Sequence, residues 1–228
     1  MINILTYTAL HRKTYDTMCS LKANGYKDVN IWMKKYSYTK TFTPLIEHRP
    51  ETNFYLSPLN QEIGVRALAN NLGFNCYEIE DYNEIASNGI YLICGAGILP
   101  REFVERNVII NTHPGFIPNV RGLDAFKWAI YEGLPVGVTS HLIGEEIDAG
   151  EIIERKVVPI YKNDTFYRVA QRVYETEIAM LVNAIELLAN PRDYISAGDN
   201  IIRKRMPHAY EVELLYKFEQ YKEKWGVE

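Results

Sequence analysis

Along the chain, short apolar runs alternate with stretches whose apolar residues recur every three or four positions. The runs 2–7, 29–33, 74–79, 90–94, 108–112, 136–143 and 151–160 have the length and residue types of strands. Ile90-Tyr-Leu-Ile-Cys94 is continuously apolar, as expected of a strand covered on both faces. Helical spacing appears between them. Tyr15, Met18, Cys19 and Leu21 place a helix over 13–22, closed by Asn24-Gly25. Ile63, Ala67 and Leu68 place another over 59–71, stopped by Gly73. Residues 82–87 read as a short helix or turn, Pro100 opens a helix through Val104, and 123–131 form a further one. Asp164-Thr165 caps a long helix to about Leu188, with Val169, Val173, Ile178, Leu181, Ala184 and Leu188 on its apolar positions. Strands alternating with helices predict an α/β fold: a Rossmann-like, mostly parallel sheet flanked by helices.

Two regions break this rhythm. Residues 34–53 are rich in Tyr, Thr and Lys, contain Pro44 and Pro50, and follow no period; connections of this length in compact domains often carry function. Past Asn190-Pro191 the chain changes character, with one last strand over 201–205 and an amphipathic helix over 210–225. The expected organisation is therefore a domain over 1–190 and a small C-terminal strand/helix tail over 191–228. Leu214, Leu215, Tyr216, Phe218 and Tyr221 give that tail more apolar area than a solvated helix needs. It is expected to dock on its own domain or on a second subunit, which makes it a candidate dimerisation element.

Composition narrows the function classes. A length of 228 residues suits one domain with an appendage, and a net charge of −4 gives no reason to expect a nucleic-acid partner. The longest apolar run, 90–99, falls far short of the roughly twenty residues that span a bilayer. The N-terminus enters a strand with no basic segment before it, so a cytoplasmic protein with no membrane partner is expected. Cys19, Cys76 and Cys94 lack metal-ligand spacing and read as reduced core thiols; no metal is expected.

The chemistry concentrates in Asn111-Thr-His113-Pro-Gly-Phe-Ile-Pro-Asn-Val-Arg121-Gly122. Strand, polar pair, Pro/Gly-rich loop and helix follow in that order. This puts Asn111 and His113 at the carboxyl end of a buried strand, where open α/β sheets bind ligands. Val136-Gly-Val-Thr-Ser-His141-Leu-Ile followed by Gly144-Glu145-Glu146-Ile147-Asp148-Ala-Gly150 can bring a carboxylate to the same end. Taken singly, each residue has a bland reading: His113 a turn histidine, Asn111 a strand terminator, Asp148 a turn residue. His141, inside an apolar strand pattern, reads as a structural support of the site. Arg121 either binds an acceptor's phosphate or carboxylate or pins its loop. Gly95-Ala-Gly97 is a weak nucleotide-loop signal that close strand–helix packing explains equally well. The Tyr-rich 36–55 region either lines an acceptor pocket or is a surface loop.

Together, Asn111-x-His113-Pro, the Pro118–Arg121-Gly122 loop, Gly137-Val-Thr-x-His141, and Asp148-x-Gly150-x-Ile-Ile about 35 residues after His113 resemble the formyltransferases that use N10-formyltetrahydrofolate. Gly95-x-x-Ile98-Leu99 and the Asp164-Thr165 helix start add to the resemblance. It covers roughly residues 88–190 well, and the first half only in its strand–helix order. It implies a catalytic domain over 1–190, with Asn111, His113 and Asp148 as the catalytic set. In that chemistry a primary amine attacks the formyl carbon. His113 takes or relays a proton, Asp148 holds the charged imidazole or passes protons through a water, and Asn111 donates to the developing oxyanion. The family's pterin ring is held by backbone beside the Asp-bearing loop and by apolar residues near the preceding strand. That implicates Ile98 and Leu99 on one side and Gly144, Glu145, Glu146 and Ile147 on the other.

The acceptor is written less clearly. Family members that act on glycinamide ribonucleotide carry a Gly/Ser-rich phosphate loop after the first strand, whereas this chain has Thr6-Tyr-Thr-Ala-Leu-His-Arg12-Lys13 there, with no glycine. Too few residues remain for the basic domain of the initiator-tRNA enzymes. The hydrolases of the family usually carry an N-terminal regulatory domain, for which there is no room. The resemblance points instead to enzymes that formylate nucleotide-linked 4-amino-4,6-dideoxy sugars for glycan synthesis. The nucleotide is then expected along 7–13 and 34–58, with Arg12 and Arg49, and Arg121 and His141, as candidate substrate contacts. The alternatives are the purine-pathway formyltransferase, a formyltetrahydrofolate hydrolase, and, weakest, a non-catalytic binding module, against which the intact Asn/His/Asp set argues.

Overall fold

The computed structural model describes residues 1–35, 42–48, 64–86, 88–144, 150–190, 193–195 and 201–228. Two compact units make up the chain: Met1–Thr39 with Pro50–Asn111 and Leu181–Ile185, and Lys40–Arg49 with Thr112–Met180 and Glu186–Glu228. The last forty or so residues share a unit with the segment that begins at Thr112.

The first unit is built on β1 (Ile2–Tyr7), α1 (Arg12–Ala23), β2 (Val29–Lys34), α2 (Val65–Leu72), β3 (Asn75–Ile79), β4 (Ile90–Ile93), α3 (Arg101–Glu105) and the start of β5 (Val108–His113). Its strands pair in the order β5-β4-β1-β2-β3, all parallel. This is the mostly parallel α/β architecture expected from the alternating pattern. The order reverses between β1 and β4, which makes the carboxyl ends of those two strands a topological switch point. Burial follows from position: Ile4, Leu5, Ile31, Leu92 and Ile110 are inaccessible because helices and strands cover both faces. Phe103 of α3 sits edge-on to Tyr91 and tilted against Tyr82. At the amino ends of the strands a row of amides replaces apolar packing. Asn3 stands opposite Asn30, and Asn30 opposite Asn75. The Asn3 carbonyl oxygen accepts from Asn30 at 3.3 Å and from the Trp32 indole at 2.9 Å, and Asn75 donates to Asn30 at 3.1 Å.

The second unit continues β5 and adds β6 (Arg121–Gly122), α4 (Ala125–Tyr131), β7 (Gly137–Leu142), β8 (Gly150–Val157), β9 (Ile160–Tyr161), most of α5 (Phe166–Leu187), β10 (Asp193–Ile195), β11 (Ile202–Arg203), α6 (His208–Trp225) and β12 (Gly226–Val227). Here β8 runs antiparallel to both β7 and β10. One core joins Val120, Phe126, Ile130, Val138, Phe166, Val169, Val173, Leu214 and Phe218. The 3.6-residue spacing of Glu211, Leu214, Phe218 and Tyr221 turns one face of α6 inward, while Val212, Leu215 and Tyr216 stay exposed. The tail thus docks on its own chain. The Tyr221 hydroxyl donates to the Leu134 carbonyl and accepts from the Val136 amide, and burial pushes its pKa up to about 12.

Three expectations shift. The run over 151–160 is two strands, because Pro159 has no N–H for a ladder and breaks β8 from β9. The start of α5 divides its work: Thr165 caps it by accepting from the Arg168 amide, while Asp164 pairs with Arg172 through both oxygens. That bidentate pair holds the Asp164 carboxyl below its ordinary range. Of the three free cysteines only Cys94 is buried; Cys19 and Cys76 are half-buried. Residues 59–63 of the helix expected over 59–71, and residues 36–41 and 49–53 of the irregular 34–53 connection, lie outside the described residues. No helix of the described residues is long and apolar enough to cross a membrane.

Candidate functional site

Strand β5 carries Asn111 and His113 at its carboxyl end. Two residues apart on a strand, they project to the same face, and Thr112 between them is buried on the other. His113 is 6 % exposed, reachable yet largely shielded from water. Its surroundings are fixed by the loop that follows. A Cβ at position 115 would lie 2.7 Å from both His113 Nε2 and the Val120 carbonyl oxygen, so only glycine lets the loop pass over the imidazole. Thr139, inaccessible on β7, pins the loop from behind. Its hydroxyl donates to the Gly115 carbonyl at 2.8 Å and accepts from the Ile117 amide at 3.0 Å. The Val120 amide then closes the turn onto the Phe116 carbonyl at 3.2 Å. The Ile117–Pro118 peptide is cis.

The other residues singled out from the sequence fall as follows. His141 is inaccessible on β7, with Nδ1 3.2 Å from the Leu142 carbonyl oxygen. Arg121 is 2 % exposed on β6 beside Ile202 of β11, a position interior to the unit. Gly144 is exposed just past β7. Arg49, Glu145, Glu146, Ile147 and Asp148 lie outside the described residues, so the third member of the expected set has no described position.

In the first unit, the loops after β1 and β4 meet at the switch point. A Cβ at Gly95 would lie within 2.9 Å of the Tyr7 ring and His11 Nε2, so the two loops touch there. Thr6, Thr14 and His11 form a short polar chain at the start of α1, with the two hydroxyls 2.5 Å apart and the imidazole 3.1 Å from Thr14. Arg12 is engaged along its own helix with Asp16. Tyr82 donates to the Ala96 carbonyl at 2.5 Å, and Lys34 lies over its ring. Ile98, two residues on, is 98 % exposed, while Leu99 is half-buried.

Sequence reasoning did not assign Gly115, Thr139 or Tyr82. Gly115 and Thr139 lay inside quoted motifs, and their signal was the side chain's smallness or its single hydroxyl in an otherwise apolar strand. Tyr82 left no such trace, because its role depends on a carbonyl fourteen residues away.

A five-stranded parallel half with a central switch point, and a polar pair at the end of its last strand, define a Rossmann-type α/β protein of the kind that binds small molecules. Residues 73–185, about half of the chain, match the formyl transferase family. The trifunctional purine biosynthetic protein adenosine-3 of Gallus gallus is 37 % identical over 107 residues, which are 44 % of this chain and 11 % of that protein. The chain spans about a tenth of the length of such relatives. Among solved structures, an N-formyltransferase from Helicobacter canadensis, in complex with folinic acid and dTDP-3-aminofucose, shares the fold. Its TM-score is 0.62 at 16 % identity, covering 98 % of this chain and 81 % of that one. A phosphoribosylglycinamide formyltransferase from Anaplasma phagocytophilum also shares it, with a TM-score of 0.54 at 20 % identity, covering 82 % and 86 %.

Proposed function

We propose that the chain moves a formyl group from N10-formyltetrahydrofolate to the primary amine of a nucleotide-linked amino sugar, with Asn111, His113 and Asp148 performing the chemistry. The observation that carries this reading is the end of β5. Within the formyl transferase match, an amide and an imidazole share one strand face, and the loop behind them is pinned by Thr139. The amine nitrogen attacks the formyl carbon, and Asn111 donates to the oxygen as it gains charge; such a contact contributes about 3 kcal/mol in an oxyanion hole. His113 accepts the proton that the amine loses. The bond from carbon to N10 then breaks, and N10 takes a proton, so a formamide and tetrahydrofolate leave. Asp148 stabilises the protonated imidazole. Ile98 and Leu99, on the loop braced by Tyr82, supply apolar cover for the pterin, and the backbone of 144–147 supplies its hydrogen bonds.

The acceptor half rests on the β1–α1 turn. It has no glycine, and its helix start is occupied by His11, Thr14 and an Arg12 already paired with Asp16, unlike a backbone cradle for a free phosphate. A second reading, glycinamide ribonucleotide as acceptor, is favoured by the purine proteins among the sequence relatives. The deciding experiment incubates the chain with 10-formyltetrahydrofolate and, separately, glycinamide ribonucleotide and a panel of dTDP- and UDP-linked amino sugars. Mass spectrometry then looks for the added formyl group. Formylation of an amino sugar supports the first reading and of glycinamide ribonucleotide the second, whereas tetrahydrofolate released without any formylated amine contradicts both.

A further inference from the structure

Lys127 of α4 and Glu211 of α6 form an ion pair at 2.6 Å, with side chains 1 % and 0 % exposed. So deep a pair is costly to desolvate unless the remaining lone pairs are used, and here they are. The second Glu211 oxygen accepts from the Leu45 amide at 2.8 Å, and the Ile46 amide also donates to this carboxylate. Four further contacts fasten the same segment. His208, at the start of α6, meets the Thr43 carbonyl at 2.8 Å, and its ring lies against Phe42. The Ile46 side chain enters the core of the second unit. The His48 ring stacks on Phe126, at a centroid distance of 5.4 Å, just beyond the Arg121–Gly122 strand. Residues 42–48 are the described part of the long connection between β2 and α2. They have no secondary structure of their own, so α6 supplies the order that periodicity does not.

We propose that Glu211 is a positioning residue for acceptor recognition: through its two backbone contacts it holds residues 42–48 in place over α4, so the C-terminal helix sets how the amine substrate is gripped. This rests on the formyl-transfer reading above. Lys127 keeps the carboxylate charged and aimed, and the backbone amides of Leu45 and Ile46 are what it holds.

Two neutral pairs separate this role from mere stability. Lys127→Met/Glu211→Met removes the charge and every acceptor for the two amides. Lys127→Met/Glu211→Gln removes the charge but leaves a carbonyl oxygen for one of them. On whichever amine the wild type formylates, the Met/Met chain should show a KM for the amine raised about tenfold or more, with the KM for 10-formyltetrahydrofolate within about twofold of wild type. Hydrogen exchange at Leu45 and Ile46 should accelerate in the same chain. The Met/Gln chain should restore most of the amine KM. If the Met/Met chain does not fold, His208→Ala, which loosens the Thr43 contact at an exposed site, should raise the amine KM alone. Equal KM values in the Met/Met and Met/Gln chains, or parallel shifts for both substrates, overturn the proposal. A wild type that formylates no amine overturns the formyl-transfer reading and this proposal with it. A wild type that turns over, with KM values unmoved in the variants, overturns the proposal alone.

Discussion

Buried polarity is used differently in the two units of this chain. In the first, it is neutral and joins neighbouring strands: Asn3, Asn30, Trp32 and Asn75 bond across separations of 27, 29 and 45 residues. Because the amides stand opposite one another in register, a one-residue slip of β1 against β2 would leave the row without partners. In the second, alongside neutral groups such as Thr139, a charged pair joins segments far apart in the chain: Lys127 reaches Glu211 across 84 residues, and Glu211 reaches Leu45 across 166. The amide row fixes which strand positions face each other. The ion pair fixes where a segment without periodicity lies. The first task needs only hydrogen-bond direction, which neutral groups supply. The second gathers three backbone elements at one point, and a carboxylate with several lone pairs does this better than an amide can.

The contrast predicts unequal costs when each network is broken at its centre. Glu211→Leu leaves the Lys127 ammonium buried without its partner, and should lower unfolding free energy by about 3–5 kcal/mol in denaturant titrations. A loss below about 1 kcal/mol would mean that Lys127 finds another partner or reaches water, and that the pair holds nothing. Asn3→Leu strands the Trp32 indole and one Asn30 donor, both neutral, and should cost about 1–3 kcal/mol by the same measurement. If Asn3→Leu proves the more damaging of the two, the distinction between a register device and a clamp fails.

The same contrast explains what could be read from the sequence. Every strand of the parallel half left a periodic or apolar trace in the residues that form it, and β1, β2 and β4 were legible within a residue at each end, whereas the order of the strands around the switch point was not. Strands β6, β10 and β12 were not, because two- or three-residue pairings are dictated by a partner elsewhere in the chain and leave no local period. Asn111 and His113 were visible because they interrupt an apolar strand just before a Pro/Gly loop. Thr139 was invisible as a positioning group, since a threonine fits any strand, and its two bonds to 115–117 exist only once β7 is in place. Nothing in the local sequence singles out Lys127 or Glu211; only folding reveals them as an inaccessible pair.

The central claim is that the end of β5 performs formyl transfer, and its most direct test is the single-turnover rate of the wild type and of His113→Ala with 10-formyltetrahydrofolate and the formylated amine's unmodified form. If His113 moves the proton as proposed, the rate should fall by about 10²–10⁴-fold while binding of the folate, followed by fluorescence, is retained. A His113→Ala chain that transfers the formyl group at the wild-type rate would contradict the account.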